Sequence, residues 1–332
     1  MDNVLTHYES IKQLQQGIMC KPRFASLHTS NCCNQNCKGC AYANIINGQV
    51  LDFDNQRKIL IDLMDLGVRG FEFAGGGEPL LIPQIVDLWK LLIDNQRKFG
   101  VLTNGTLLTD EMINFIVRHG TYIRISLEAT DEDTYSKYKR VPKDIWNKVL
   151  TNVEKLVAYR DEFNSSCEVS IKFSIGKSLK GEKFIQNGVL LGNRLKVNNV
   201  QFKALRHEPE ELSLDAKHEQ EIFLNHYCQD KKFRWWVIPW DYEDIPQCWL
   251  NPLHVVVDYN GDVHLCCYYY YRDNYKLGNM LQTPIKELWY SDKHFELIKN
   301  IKREECAKVD CKFFRHHKIV DEAFKNGAIE FL

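Results

Sequence analysis

The stretch CCNQNCKGC, residues 32–40, sets four cysteines in nine positions. Three of them, Cys33, Cys37 and Cys40, are spaced C-x3-C-x2-C. Thiolates on one loop can converge on a single metal centre, so the chain around them must fold to present that loop. A [4Fe–4S] cube is normally held by four cysteines, and three with no local fourth would leave one iron open to a small molecule. Structural zinc is the alternative, although zinc prefers four ligands, commonly paired as C-x2-C. The spacing favours iron and sulfur. Cys32 is the spare, because Cys33 alone gives the gap of three residues to Cys37.

The rest of the chain narrows the setting. Twelve cysteines in 332 residues are too many for a reducing compartment unless they do metal or redox work, and the chain is too long for a small disulfide scaffold. A formal net charge of −1 gives no reason to expect nucleic acid or an anionic membrane surface. No apolar run is long enough to span a bilayer. The start, MDNVLTHYES, lacks the basic and apolar parts of a secretory signal, so the expected location is cytoplasmic.

From residue 24 to 206 short β-rich runs alternate with helical patterns. FASLHT, GFEFA, FGVLT, YIRISLEA, EVSIKFSI and NNVQFKAL read as six strands. Such alternation means parallel pairing through crossover helices, and six units suit a partial (β/α)6 barrel as well as an open sheet. Residues 1–23 read as an N-terminal extension. Residues 207–247 read as a linker, holding a charged helical stretch and the aromatic FRWWVIPW. A smaller α+β hairpin-and-helix domain is expected over 248–332. In it, two β-rich runs flank Asn260-Gly261, and a helix starts with Thr283 as N-cap and Pro284 at its first position. His316 and His317 read as solvated. Cys20, Cys167 and Cys228 read as buried small hydrophobes.

The cysteine loop directly after the first strand of a β/α chain resembles the radical S-adenosylmethionine (SAM) enzymes. Further motifs carry the resemblance in the family's order. AGGGEP follows the second strand and looks like the family's GGEP motif. The resemblance implies that Gly76, Gly77, Glu78 and Pro79 border the amino group of SAM. LTNG follows the third strand and brings Asn104. ISLEA on the fourth strand brings Ser126 and Glu128, implied partners of the ribose or carboxylate of SAM, and Arg140 lies where relatives place an arginine for that carboxylate. One departure is Gly39, since many members carry an aromatic residue directly before the third cysteine. In the second domain, Cys248, Gly261 and Cys266 fall as C-x12-G-x4-C, followed by Cys306 and Cys311. This resembles the SPASM and twitch domains, and implies one auxiliary [4Fe–4S] cluster on these four cysteines. Zinc remains the alternative there. Cys267 competes with Cys266 as a ligand and is also a candidate hydrogen donor.

The resemblance implies an oxidoreductase or epimerase. A flavodoxin- or ferredoxin-type protein would supply an electron, SAM would be cleaved reductively to a 5′-deoxyadenosyl radical, and the radical would remove a hydrogen atom from a substrate carbon. The few residues before Cys33 are too few for a leader-recognition domain, which favours a small sugar-like or aminocyclitol substrate. Maturation of a ribosomally made peptide by epimerisation, cross-linking or oxidation is the alternative. A non-catalytic iron–sulfur or zinc module is the reading from another class.

Overall fold

The computed structural model describes residues 6–205, 210–237, 248–268, 273–302, 311 and 313–325. The first half runs α1 (Tyr8–Gln15), β1 (Phe24–His28), α2 (Phe53–Leu66), β2 (Gly70–Phe73), α3 (Ile85–Asp94), β3 (Lys98–Thr103), α4 (Asp110–His119) and β4 (Tyr122–Ser126). It continues with α5 (Glu132–Lys139), α6 (Asp144–Glu162), β5 (Glu168–Ile175), α7 (Glu182–Arg194), β6 (Asn199–Ala204), α8 (Leu214–Tyr227) and β7 (Phe233–Trp236). The remainder is β8 (His254–Asp258), β9 (Asp262–His264), β10 (Lys276–Asn279), α9 (Ile285–Trp289), α10 (Asp292–Lys299) and α11 (Phe314–Lys325). The βα alternation and the closing hairpin-and-helix segment are those of the α/β class expected. No helix among the described residues is long and apolar enough to cross a membrane.

The chain forms two compact units. One comprises Met1–Thr29, Leu51–Phe71 and Asp241–Leu332; the other comprises Ser30–Val50 and Glu72–Trp240. In the second of these, β3, β4, β5, β6 and β7 pair in parallel, in that order. The segment read as a linker supplies two regular elements. Ser213 caps α8, its side chain accepting from the Ala216 N–H, and FRWW forms β7 against β6. Aromatic density, taken for linker packing, here marks an edge strand.

The two faces of these strands differ in kind. Ile123, Ile125, Ile171, Phe173, Val200 and Phe202 are fully buried, and α7 packs closely on this face, where Gly188 and Gly192 lie against Phe202 and Val200. On the alternate positions the parallel register aligns Ser126, Lys172, Gln201 and Arg234, with Ser174, Lys203 and Trp236 one step further on. Arg124 donates from Nη1 to Gln201 Oε1 across this polar face at 3.0 Å. A doubly covered parallel sheet would instead show near-continuous apolar runs. The alternation therefore separates a barrel-type sheet, with a polar inner face, from an open one.

In the other unit, β8 pairs in parallel with β1, and β8, β9 and β10 form an antiparallel meander. Gly261 takes φ +80° in the β8–β9 turn, a conformation that favours glycine. Asp258 fixes that turn by accepting from the Asn260 and Asp262 N–H groups. The predicted single helix over 283–301 is two helices. Pro284 stands at the N-cap of α9, so the helix begins one residue later than expected. His294 donates from Nδ1 to the Trp289 carbonyl at 2.7 Å, using the acceptor that a continuing helix would need, and Ser291 caps α10. The indole of Trp289 donates to the Cys20 carbonyl at 3.0 Å, while the Cys20 thiol donates to Pro252 O at 3.6 Å. Cys20, Cys167 and Cys228 are buried, as expected.

Candidate functional site: a three-cysteine loop beside a buried charge cluster

The cysteine loop is positioned by the turns that follow neighbouring strands. Gly77 N–H donates to Ser30 O at 3.0 Å and Glu78 N–H donates to Cys32 O at 2.7 Å. A Cβ on Gly77 would fall onto the backbone of Cys32, so only glycine permits these two strands of chain to meet. Glu78 is buried. Its carboxylate accepts from Thr103 Oγ1 at 2.5 Å, Asn104 N–H at 2.7 Å and Leu80 N–H at 3.1 Å. Burial raises its pKa despite these bonds. The last of them also caps the short 3-10 turn that begins at Pro79. Asn104 in turn donates from Nδ2 to Asn34 Oδ1 at 2.8 Å and so ties the third turn to the cysteine loop.

Helix α5 holds the loop from the other side. Lys38 N–H donates to Tyr138 O at 2.8 Å, and Gln35 Nε2 donates to the Tyr135 hydroxyl at 3.3 Å. The space beside Gly39 is filled by the hydroxyl end of Tyr138, with Leu205 Cδ1 2.9 Å from where a Cβ would stand. The aromatic residue that many radical SAM enzymes carry at this position has no room here.

Cys33, Cys37 and Cys40 are brought together. Burial pushes the Cys33 thiol up to about 11, and the charges of Cys37, Glu78 and Cys40 add to the rise. Cys40 is raised by burial as well, with Cys37 contributing. Sulfurs that disfavour one another's charge, half-buried on one loop, are a donor set that a cationic metal cluster satisfies by displacing the protons. Two N–H···S and S–H···O contacts orient the set: Tyr42 N–H to Cys40 Sγ at 3.4 Å, and Cys37 Sγ to Gln35 Oε1 at 3.7 Å.

A charge cluster lies beside the sulfurs. Glu128, at the unusual φ of +68°, accepts from Lys172 Nζ at 2.9 Å and Ser174 N–H at 2.6 Å. Burial works against its ionisation, but the ammonium groups of Lys172 and Lys139 prevail and bring it down to about 2. Burial pulls Lys172 the other way, below its usual range. Lys139 was missed by the sequence reading. It is buried, donates to Ser126 O at 2.7 Å, and is held protonated, against burial, by Cys37 and Glu128 among others. Arg140, the expected cation, is exposed and takes the left-handed C-cap of α5. The signal was within reach, because helical spacing from buried Tyr135 and Tyr138 puts Lys139 on the inner face of α5.

The second cysteine group belongs to the other unit. Cys266 is half-buried, and hydrogen bonding with Cys267, desolvation, and the nearby charges of Cys267 and Cys311 raise its pKa well above the ordinary value. Tyr268 N–H donates to Cys266 Sγ at 3.5 Å. Cys248 Sγ lies 3.8 Å from His317 Nε2. His317 corrects the expectation of a solvated residue: it is 6% exposed, its Nδ1 accepts the Trp249 backbone N–H, and its ring meets Phe313 edge to face. Cys306 lies outside the described residues.

The sequence model of the radical SAM superfamily matches residues 27–166, and that of the SPASM iron–sulfur cluster-binding domain matches residues 248–312. The chain belongs to the radical SAM superfamily. It is 24% identical over 324 residues to a cysteine-type anaerobic sulfatase-maturating enzyme of Clostridium perfringens strain 13, spanning 86% of this chain and 85% of that protein. With the enzyme of that description from Clostridium novyi it shares 27% over 154 residues, 41% of this chain and 40% of the relative. A match to an uncharacterized protein of Archaeoglobus fulgidus, at 29% identity, spans 27% of that protein's length. The fold is that of Streptococcus suis SuiB, seen in a structure bound to the precursor peptide SuiA, with a TM-score of 0.69 at 16% identity over 92% of this chain and 74% of that one. A radical SAM enzyme with this second domain takes S-adenosylmethionine and [4Fe–4S] clusters. Both cysteine groups fit such clusters in donor type: their thiols are half-buried, Cys33 senses the charges of Cys37 and Cys40, and Cys266 senses those of Cys267 and Cys311.

Proposed function

We propose that this radical SAM enzyme modifies a peptide or protein substrate, removing a hydrogen atom from a residue's carbon and completing a net oxidation. The observation that carries this reading is the similarity to the C. perfringens sulfatase-maturating enzyme across 86% of the chain, through the cysteine loop and the second domain alike. The expected sugar-like substrate finds no such support. When bound, SAM and the first cluster supply the 5′-deoxyadenosyl radical that takes the hydrogen atom.

The chain's own part is positioning. Cys33, Cys37 and Cys40 hold the first cluster and leave one corner for SAM. The turns at Gly76–Pro79 and Asn104 border the SAM site and fix the cysteine loop by the bonds described. Lys139, rather than Arg140, presents the cation for a carboxylate, with Ser126 and Glu128 alongside. The polar strand face bearing Arg124, Gln201 and Lys203 supplies hydrogen-bonding groups to amides and carboxylates of the substrate. Cys248, Cys266, Cys306 and Cys311 would hold the auxiliary cluster, which would supply a one-electron acceptor for the oxidation. Cys267, hydrogen-bonded with Cys266, serves as the hydrogen donor should epimerisation be the outcome. A flavodoxin- or ferredoxin-type protein delivers the priming electron.

The test is anaerobic assay of the reconstituted enzyme with SAM, dithionite and candidate peptides encoded beside its gene. A peptide lighter by two mass units, formed with 5′-deoxyadenosine, is the expected product. Deuterium from heavy water retained on the peptide would mark epimerisation instead. Turnover of sugars or aminocyclitols, with no peptide modified, would overturn the reading.

A further inference from the structure

The second cysteine group has a feature that the family motifs leave out. His317 sits on α11, and its two ring nitrogens face different partners. Nδ1 accepts the backbone N–H of Trp249 at 3.1 Å, and Nε2 faces Cys248 Sγ at 3.8 Å. The ring is locked in this orientation. The Trp249 indole donates to Asp321 Oδ1 at 3.1 Å, one turn along the same helix, and Trp249 packs with Ile11 and Val320. Turning the ring over would put a carbon against the buried Trp249 N–H and leave that donor unsatisfied.

The geometry settles the tautomer. A nitrogen that accepts a backbone N–H cannot carry a proton, so in the neutral ring the proton is on Nε2. A protonated Nε2 has no lone pair for a metal. It is instead a donor aimed at sulfur, and 3.8 Å is within reach of an N–H···S bond. We propose that His317 is a positioning residue for the auxiliary cluster: it donates a hydrogen bond to the Cys248 thiolate and raises the cluster's reduction potential. Hydrogen bonds to the sulfurs stabilise the more negative, reduced cluster, which makes it a better electron acceptor. The inference rests on Cys248 being a cluster ligand, and not on which substrate is modified.

The experiment uses the full chain carrying Cys33→Ala, Cys37→Ala and Cys40→Ala together, so that only the auxiliary cluster gives a signal. Its midpoint potential is read by EPR-monitored titration. His317→Phe is expected to shift the midpoint to more negative values. His317→Gln, which can again present an N–H, is expected to stay nearer the parent. A His317→Phe midpoint equal to the parent's overturns the proposal. If that variant fails to hold iron, the parent decides: labelled with 15N-histidine, it should show only weak nitrogen coupling to the cluster. Coupling of the strength seen for a directly bound nitrogen overturns the proposal, as does a second site that takes up zinc and no iron. No readout involves a peptide, so failure here is separate from failure of the peptide reading.

Discussion

The two cysteine groups solve different problems. The first sits on one continuous loop, clamped by backbone hydrogen bonds from the Gly77–Glu78 turn and from α5, with the buried cation of Lys139 beside it. The second draws its described members from the chain before β8 (Cys248), the turn after β9 (Cys266 and Cys267) and Cys311 ahead of α11, and is buttressed by His317 and an apolar cluster around Trp249. A buried cation next to sulfurs favours an anionic ligand entering the site. A neutral N–H aimed at sulfur suits a closed centre that only passes electrons. The proposed roles follow this difference: exchange of a small molecule at the first group and permanence at the second.

The sharpest way to break the comparison is to delete one group at a time. Cys37→Ala should drop 5′-deoxyadenosine formation to background, a loss on the order of a thousandfold or more, since the cofactor carries the chemistry. Cys266→Ala should leave substrate-dependent 5′-deoxyadenosine within about tenfold of wild type and abolish the oxidised product. Equal loss of both readouts in both variants would erase the distinction.

Next in size is Gly77→Ala. Its Cβ would meet the Cys32 backbone, so the clamp must open at a cost of about 1–3 kcal/mol. Iron should be lost from the first group and kept in the second, as read by metal analysis on variants lacking one group. Uniform iron loss would mean that the substitution unfolds the chain.

Acid sharpens the comparison further. In the unit with the second group, burial holds His294 down at about 4, against an ordinary 6.5, with the Trp289 carbonyl only partly offsetting it. The unfolded chain gains that proton first, so stability present above pH 6.5 is lost as pH falls towards 4. In the other unit, Glu128 at about 2 against 4.5 gives up to about 3 kcal/mol, reduced by the cost of burying Lys172. That contribution is present above 4.5 and is lost only as pH falls towards 2. Hydrogen exchange on the metal-free chain at pH 7 and pH 5 should therefore show α10 losing protection while β4 and β5 keep theirs.

The sequence made some of this legible and hid the rest for physical reasons. Cysteine spacing and strand ends are local, so Cys33, Cys37, Cys40 and the turns at Gly77 and Asn104 could be read directly. Lys139 was hidden because a charged residue next to Arg140 reads as surface, although its helical phase with Tyr135 and Tyr138 points inward. The role of Gly39 depends on Tyr138, a hundred residues away, and no local pattern carries that. FRWW passed for linker because a short run without alternation gives no period to read, yet it completes the parallel sheet as β7. His317 looked solvated because its burial depends on Trp249, far off in sequence.

The claim of two separate clusters is tested most directly by iron and sulfide analysis of the anaerobically reconstituted chain and of two deletions. The intact chain should hold about eight irons, falling to about four in Cys33→Ala/Cys37→Ala/Cys40→Ala and to about four in Cys266→Ala/Cys311→Ala. An intact chain with about four irons, unchanged when Cys266 and Cys311 are removed, would contradict the account.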